Sequence, residues 1–190
     1  MIDGFLFVLT LATAVASGLV AGFFFAFSTC VMKALARLPA AQGVAAMQSI
    51  NVVVINPLVM AALFGTALAC GVLVIASFVE WGEPYAVYLL VGGLVYLVGA
   101  IALTGAYHVP RNNALATVDP NGADAASHWD RYVKDWTAWN HVRTIAPLAS
   151  ATLLTVALRV TDRVRHGGFR ISPYMSSDRC SIVASLEPSA

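Results

Sequence analysis

The chain has 190 residues, of which 59% are hydrophobic and only 11% charged, against about 25% charged in ordinary soluble domains, and its mean hydropathy is +0.76. Such a chain cannot cover a water-facing surface, so its predicted medium is a bilayer. The composition excludes intrinsic disorder, which needs low hydrophobicity. With 11 basic and 10 acidic residues, a net charge of +1 also gives a nucleic acid nothing to be steered by.

From Gly4 to Met32 the chain runs 29 residues without a charge, above the roughly 20 needed to cross a 30 Å hydrocarbon core. The first predicted span is therefore 4–32. An Ala14-Val15-Ala16 triplet resembles a signal-peptidase site, but no basic segment precedes it and the apolar run continues, so the helix is expected to be retained. Ala14, Gly18, Gly22 and Ala26 recur every four residues. Such a stripe lets another helix approach closely, and the Gly18/Gly22 face permits a homo-oligomer.

Between Arg37 and Glu80 lie 42 uncharged residues, about 63 Å as one helix, so an interruption is required. Asn56-Pro57 removes a backbone donor, which predicts a kinked second helix with its span at 57–79. The preceding segment, 40–55, reads as an interfacial or re-entrant helix. Its Gln48, Asn51 and Asn56 are amides that lipid would penalise, so they should face protein or a polar cavity. A third span follows at 85–107, flanked by interfacial tyrosines, and Pro110 is expected to stop it.

Only 15 charge-free residues separate Arg143 from Arg159, about 22 Å of helix, so the fourth span, 143–163, borrows from its flanks. Pro147 is a candidate kink. The sequence thus predicts an all-α integral membrane four-helix bundle over 1–166, with a mostly disordered polar tail at 167–190. Basic residues divide six against five between the two sides, which leaves orientation open. Discounting those buried at a site puts both termini of a multi-pass cell-membrane protein in the cytoplasm.

Cys30, Cys70 and Cys180 are too scattered for a disulfide framework. No C-x-x-C, H-E-x-x-H, dinucleotide or P-loop pattern occurs, so chemistry must come from polar residues near the membrane. The first cluster is His108-Val109-Pro110-Arg111-Asn112-Asn113. The second surrounds Trp129, Tyr132, Trp136, Trp139, Asn140, His141 and Arg143. If helical from Asp124 or Ser127, it sets Trp129, Val133, Trp136, Asn140 and Arg143 on one face. An aromatic belt explains the tryptophans without any ligand. An amide, an imidazole and a guanidinium at 140, 141 and 143 entering a membrane helix are expensive unless buried and paired. Asp130, Asp135 or an anionic ligand would serve Arg143.

Asn51 with Asn56-Pro57, then Pro110-Arg111-Asn112-Asn113, then Trp136-Thr137-Ala138-Trp139-Asn140-His141-Val142-Arg143-Thr144 together resemble the anthrone oxygenase family over about residues 1–165. The last run is the most specific part. The resemblance implies a small four-helix membrane protein that oxygenates an anthrone to an anthraquinone with dioxygen as co-substrate and no flavin or haem.

That chemistry needs a base and an oxyanion holder. His141 or His108 can be the base, while Arg143, Arg111, Asn140 and Asn112 can hold the oxyanion. Trp136, Trp139 and Tyr132 can stack on a flat apolar aromatic molecule, and Asn51 and Asn56 contribute from the second helix. A metal shared by His108, His128 and His141 is a lesser reading, because their spacing is no recognised ligand motif. The competing class is non-enzymatic: a small-solute carrier subunit or an assembly partner within the bilayer.

Overall fold

The computed structural model describes residues 4–167, so Cys180 and nearly all of the predicted tail lie outside the described residues. Five helices account for the rest: α1 (Gly4–Leu35), α2 (Ala40–Val53), α3 (Pro57–Val79), α4 (Ala86–Ala116) and α5 (Ala125–Gly167). No strand occurs among the described residues. Helices α1, α3, α4 and α5 are long and apolar enough to cross a membrane, which gives the all-α four-span bundle that hydropathy predicts.

The bundle buries hydroxyls among its apolar inner residues and turns large apolar side chains outward. On α1 the buried seam includes Thr10, Thr13 and Ser17, whereas Phe5, Val8, Leu11, Val15 and Leu19 are exposed. Hydrocarbon outside removes the usual demand that the inner face be the greasier one. The inner hydroxyls need partners instead, and Thr10 and Thr13 donate to the carbonyls of Leu6 and Leu9, each at 2.7 Å.

Three apolar clusters stack along the bundle. The lowest joins Leu6 and Ala14 to Leu73, Tyr85, Leu89, Leu154 and Ala157. The middle one holds Val20, Phe24, Leu63, Cys70, Tyr96 and Ala100. In the uppermost, α2 lies across its neighbours, with Val44 and Met47 against Met32, Leu35, Leu115, Trp129, Tyr132 and Trp136. Helix α5 has 43 residues, about 65 Å and twice a 30 Å hydrocarbon core. Its Trp129–Asn140 half therefore builds a second storey on the membrane bundle.

Several boundaries differ from expectation. Pro110 does not stop α4, which runs on to Ala116. A π-helical turn over Thr104–His108 resets the hydrogen-bond register, so Pro110 falls in the first turn of the next α segment, where a missing N–H costs little. The aromatic-rich helix and the fourth span are one rod, continuous through Pro147. The predicted kink at Asn56-Pro57 is a full joint: α2 ends at Val53, and the Asn56 side chain caps α3. The connection between α4 and α5 is short, residues 117–124.

Within the single chain, close helix packing falls elsewhere than on the Gly18/Gly22 face. A Cβ at Gly18 or Gly22 would meet nothing within 4 Å, whereas at Gly99 it would strike Ala146, and at Gly93 it would lie 2.9 Å from the Cys70 carbonyl oxygen. The glycines at which helices touch most closely within the chain are thus Gly93 and Gly99 on α4 and Gly43 on α2, which faces Trp129 of α5.

Candidate functional site

A cavity of about 660 Å³ opens between the middle and upper clusters, within the range of small-molecule sites. Its polar lining comes from Thr104, His108, Asn112 and Asn113 on α4, Asn51 and Gln48 on α2, and Arg143 on α5. Its apolar walls include Phe23, Phe24, Phe27, Leu63, Phe64 and Trp136. Three π-helical turns supply residues to it: Phe27–Val31, Ala61–Gly65 and Thr104–His108. Such turns recur at functional sites because the extra residue redirects side chains.

Arg143 is the centre. It is 7% exposed, and its Nε and Nη2 donate to Asn140 Oδ1 at 3.0 and 2.7 Å, while Nη1 donates to Thr104 Oγ1 at 3.2 Å. The guanidinium lies 4.1 Å from the Phe24 ring centroid and 5.3 Å from that of Trp136. No carboxylate among the described residues pairs with it, so the expected Asp130 or Asp135 partner is absent and both acids are exposed. Asn140 is buried; its Nδ2 donates to the Phe24 carbonyl at 2.9 Å and to Ser28 Oγ at 2.8 Å.

His108 is fully buried. Its Nδ1 approaches the Leu103 carbonyl at 3.4 Å, and Nε2 has no hydrogen-bond partner at ordinary distance among the described residues, although the Trp136 backbone also lies close to the ring. Its ring stands edge-on to Trp136, with centroids 5.2 Å apart. With the proton on Nδ1, Nε2 carries the lone pair. Asn112 Oδ1 accepts from Tyr132 Oη at 2.8 Å and from Trp136 Nε1 at 3.0 Å. An indole N–H only donates, which fixes the amide's orientation and leaves Nδ2 as a donor at the cavity. Asn51 adds a second amide, whose Nδ2 is buried with no hydrogen-bond partner among the described residues.

The structure therefore brings together His108, Asn112, Asn51, Trp136 and Arg143, with Asn140 behind the arginine and Tyr132 behind Asn112. It does not bring in the other four candidates. His141 is exposed and lines a separate groove beside Lys33 and Lys134. Arg111 lies over the Tyr107 ring, 3.3 Å from its centroid, and borders an outer groove that also holds His128. Trp139 is 43% exposed and packs on Tyr107 with centroids 4.7 Å apart. Asn56 spends its amide on the α3 cap, accepting from the N–H groups of Leu58 and Val59 at 3.1 Å each. His108, His128 and His141 line three different hollows, and no group of three His, Cys, Asp or Glu converges among the described residues.

Thr104, Phe24 and Ser28 were not anticipated. Thr104 carries a usable signal, a hydroxyl four residues before His108 in an apolar run, which sets both on one helical face.

The fold and site define a four-span, membrane-type helical protein with a buried guanidinium and imidazole in an otherwise aromatic cavity. The anthrone oxygenase family profile matches residues 57–153, about half of the chain, and the protein belongs to that family. The matched segment contains Thr104, His108, Asn112, Trp136, Asn140 and Arg143 but neither α1 nor Asn51. No curated protein and no solved structure matches the chain.

Proposed function

We propose that this chain is a membrane oxygenase that converts a flat, anthrone-like aromatic ketone to the corresponding quinone with dioxygen. The observation that carries the reading is the pairing, in one apolar cavity, of an imidazole with an unpartnered Nε2 and a guanidinium with no carboxylate partner. Membership of the anthrone oxygenase family supports the reaction class.

The substrate would sit between Trp136 and the phenylalanines, with its carbonyl oxygen toward Arg143 and the amide N–H of Asn112. His108 Nε2 removes a proton from the methylene carbon between the rings. The resulting enolate is held as an oxyanion by Arg143 and Asn112, donors in place before the charge develops. The electron-rich carbon reduces dioxygen and bonds to it, giving a peroxide that takes up a proton. Loss of the second C–H proton with cleavage of the O–O bond yields the new carbonyl and one water. One dioxygen is consumed per quinone, and the electrons come from the substrate, so the step requires no added cofactor. Both reactants are apolar and dissolve in the bilayer, and the exposed rim residues Val52, Ile55 and Phe64 suit a mouth that faces hydrocarbon.

The test is oxygen uptake by the detergent-purified protein with a simple anthrone, using His108→Ala as the blank for spontaneous oxidation. Uptake above that blank with one quinone per dioxygen is expected. No excess uptake by well-folded protein would remove the reading and favour a carrier subunit or assembly partner.

A further inference from the structure

The wall that α2 contributes to the cavity carries two amides that the reaction does not use, Gln48 and Asn51. They lie three residues apart, on one helical face. Gln48 Nε2 donates to the Leu115 and Val118 carbonyls at the end of α4, at 2.9 Å each. A carbonyl only accepts, so both bonds require the nitrogen on that side, and both of its N–H groups are spent. The amide can therefore offer a ligand only its oxygen. That oxygen has no hydrogen-bond partner among the described residues and is not sealed within the protein.

A chain of hydrogen bonds gives Asn51 the same polarity. Trp136 Nε1 can only donate, so the atom of Asn112 that it meets is Oδ1. The Tyr132 hydroxyl gives its single proton to that same oxygen, and toward any other neighbour it can only accept. Asn51 comes near this hydroxyl from α2 without closing a regular bond. The donor it can turn that way is Nδ2, the enclosed atom of the amide, which leaves Oδ1 for the cavity. The walls are thus opposite in kind. Helices α4 and α5 present donors, Asn112 Nδ2 and the Arg143 guanidinium, whereas α2 presents acceptors. A ligand that satisfies both has an acceptor on one edge and a donor on another.

We infer that Gln48, with Asn51 beside it, determines specificity: the cavity selects flat ketones that carry a hydrogen-bond donor, a hydroxyl or amino group, on the ring edge facing α2. The inference rests on the proposed reaction for the orientation of the ketone toward Arg143, whereas the acceptor pair on α2 stands without it. An analogue with a methyl group in the donor's place is rejected because it leaves the acceptor unpaired.

The experiment measures binding, not turnover. Fluorenones are planar ketones with no methylene to oxidise, and an amino group differs from a methyl group in little but its N–H donors. Amino- and methyl-fluorenones substituted at each ring position are titrated into the full chain in an uncharged detergent, with correction for partition into the micelle. Tryptophan fluorescence reports occupancy, since Trp136 lines the cavity. For at least one position the amino compound is expected to bind at least about tenfold more tightly than its methyl counterpart. Gln48→Lys keeps donors for both carbonyls, at a helix C-terminus that suits a cation, and removes the acceptor; it is expected to reduce that preference to about threefold or less. Equal affinities at every position for the unmodified chain would overturn the proposal without any variant, as would an undiminished preference in a folded Gln48→Lys protein. Binding of none of the ketones would overturn it together with the proposed reaction, whereas binding without preference leaves that reaction standing.

Discussion

Asn140 holds Arg143 from three residues away on the same helix, its carboxamide oxygen accepting from both Nε and Nη2 of the guanidinium. A carboxylate there would have neutralised the arginine. A neutral acceptor satisfies two of its N–H groups and leaves the positive charge uncompensated, which is what an incoming oxyanion needs. The same amide fastens α5 to the Phe24 carbonyl and Ser28 of α1, so one side chain fixes both the cation and a wall of the cavity.

Two substitutions at this pair should therefore diverge. Asn140→Ala removes the acceptor of a buried cation, where each such hydrogen bond contributes about 1.5–3 kcal/mol, and is expected to lower the melting temperature in detergent by several degrees. Arg143→Met removes the buried charge itself, and replacing buried ions with apolar groups is often neutral or stabilising. Its expected signature is a melting temperature equal to or above that of the parent, with anthrone turnover reduced at least about a hundredfold. A folded Arg143→Met protein that oxidises anthrone at the parent rate would sink the oxyanion role.

The two histidines adjoining the polar clusters give a second contrast. His108 is fully buried and lines the cavity, whereas His141 is exposed and lines the outer groove. His108→Ala is expected to lose about 10²–10⁴-fold in kcat, the usual contribution of a general base. His141→Ala is expected to stay within about threefold of the parent in the same oxygen-uptake assay. The reverse order would place the chemistry outside the cavity.

At Asn112 the expected outcome depends on which half of the amide is lost. Asn112→Leu leaves the Tyr132 hydroxyl and Trp136 indole N–H without their shared acceptor, at about 1–3 kcal/mol for each buried donor, and should destabilise the upper storey. Asn112→Asp retains an acceptor for both donors but replaces the Nδ2 donor with a negative charge beside the oxyanion position. It is expected to fold and to be catalytically impaired, which circular dichroism and quinone formation can separate.

The first three spans were legible because uncharged runs longer than 20 residues suit a bilayer, and the fourth because its 15 apolar residues could be completed from the flanks. The face carrying Trp129, Trp136, Asn140 and Arg143 was legible too, since a 3.6-residue period needs only the spacing. His141 was misleading for the same reason: the position next to Asn140 lies about 100° round the helix, so His141 points away from the face that carries Asn140 and Arg143. The π-helical turns at Phe27–Val31 and Thr104–His108 carried no comparable signal. They contribute Phe27, Thr104 and His108 to the cavity lining, and the second lets α4 continue past Pro110. Asn56 illustrates a different ambiguity. An amide before proline serves equally well as a ligand or a helix cap, and only the bonds to Leu58 and Val59 decide between them.

The glycines offer a test of the packing that holds the cavity in place. A side chain at Gly99 would collide with Ala146, one turn beyond Arg143 on α5, so it would force α4 and α5 apart next to the guanidinium. Gly99→Val is expected to cost about 1–3 kcal/mol as an overpacking change and to reduce turnover, because Thr104 and His108 ride on the displaced helix. Gly18→Val on α1 meets open space in the single chain, and its melting temperature should match the parent's. Size-exclusion chromatography with light scattering adds a further reading of the same variant. If the Gly18/Gly22 stripe carries a homo-oligomer, the branched side chain blocks close approach of the second copy, and the oligomer should dissociate while each chain stays folded.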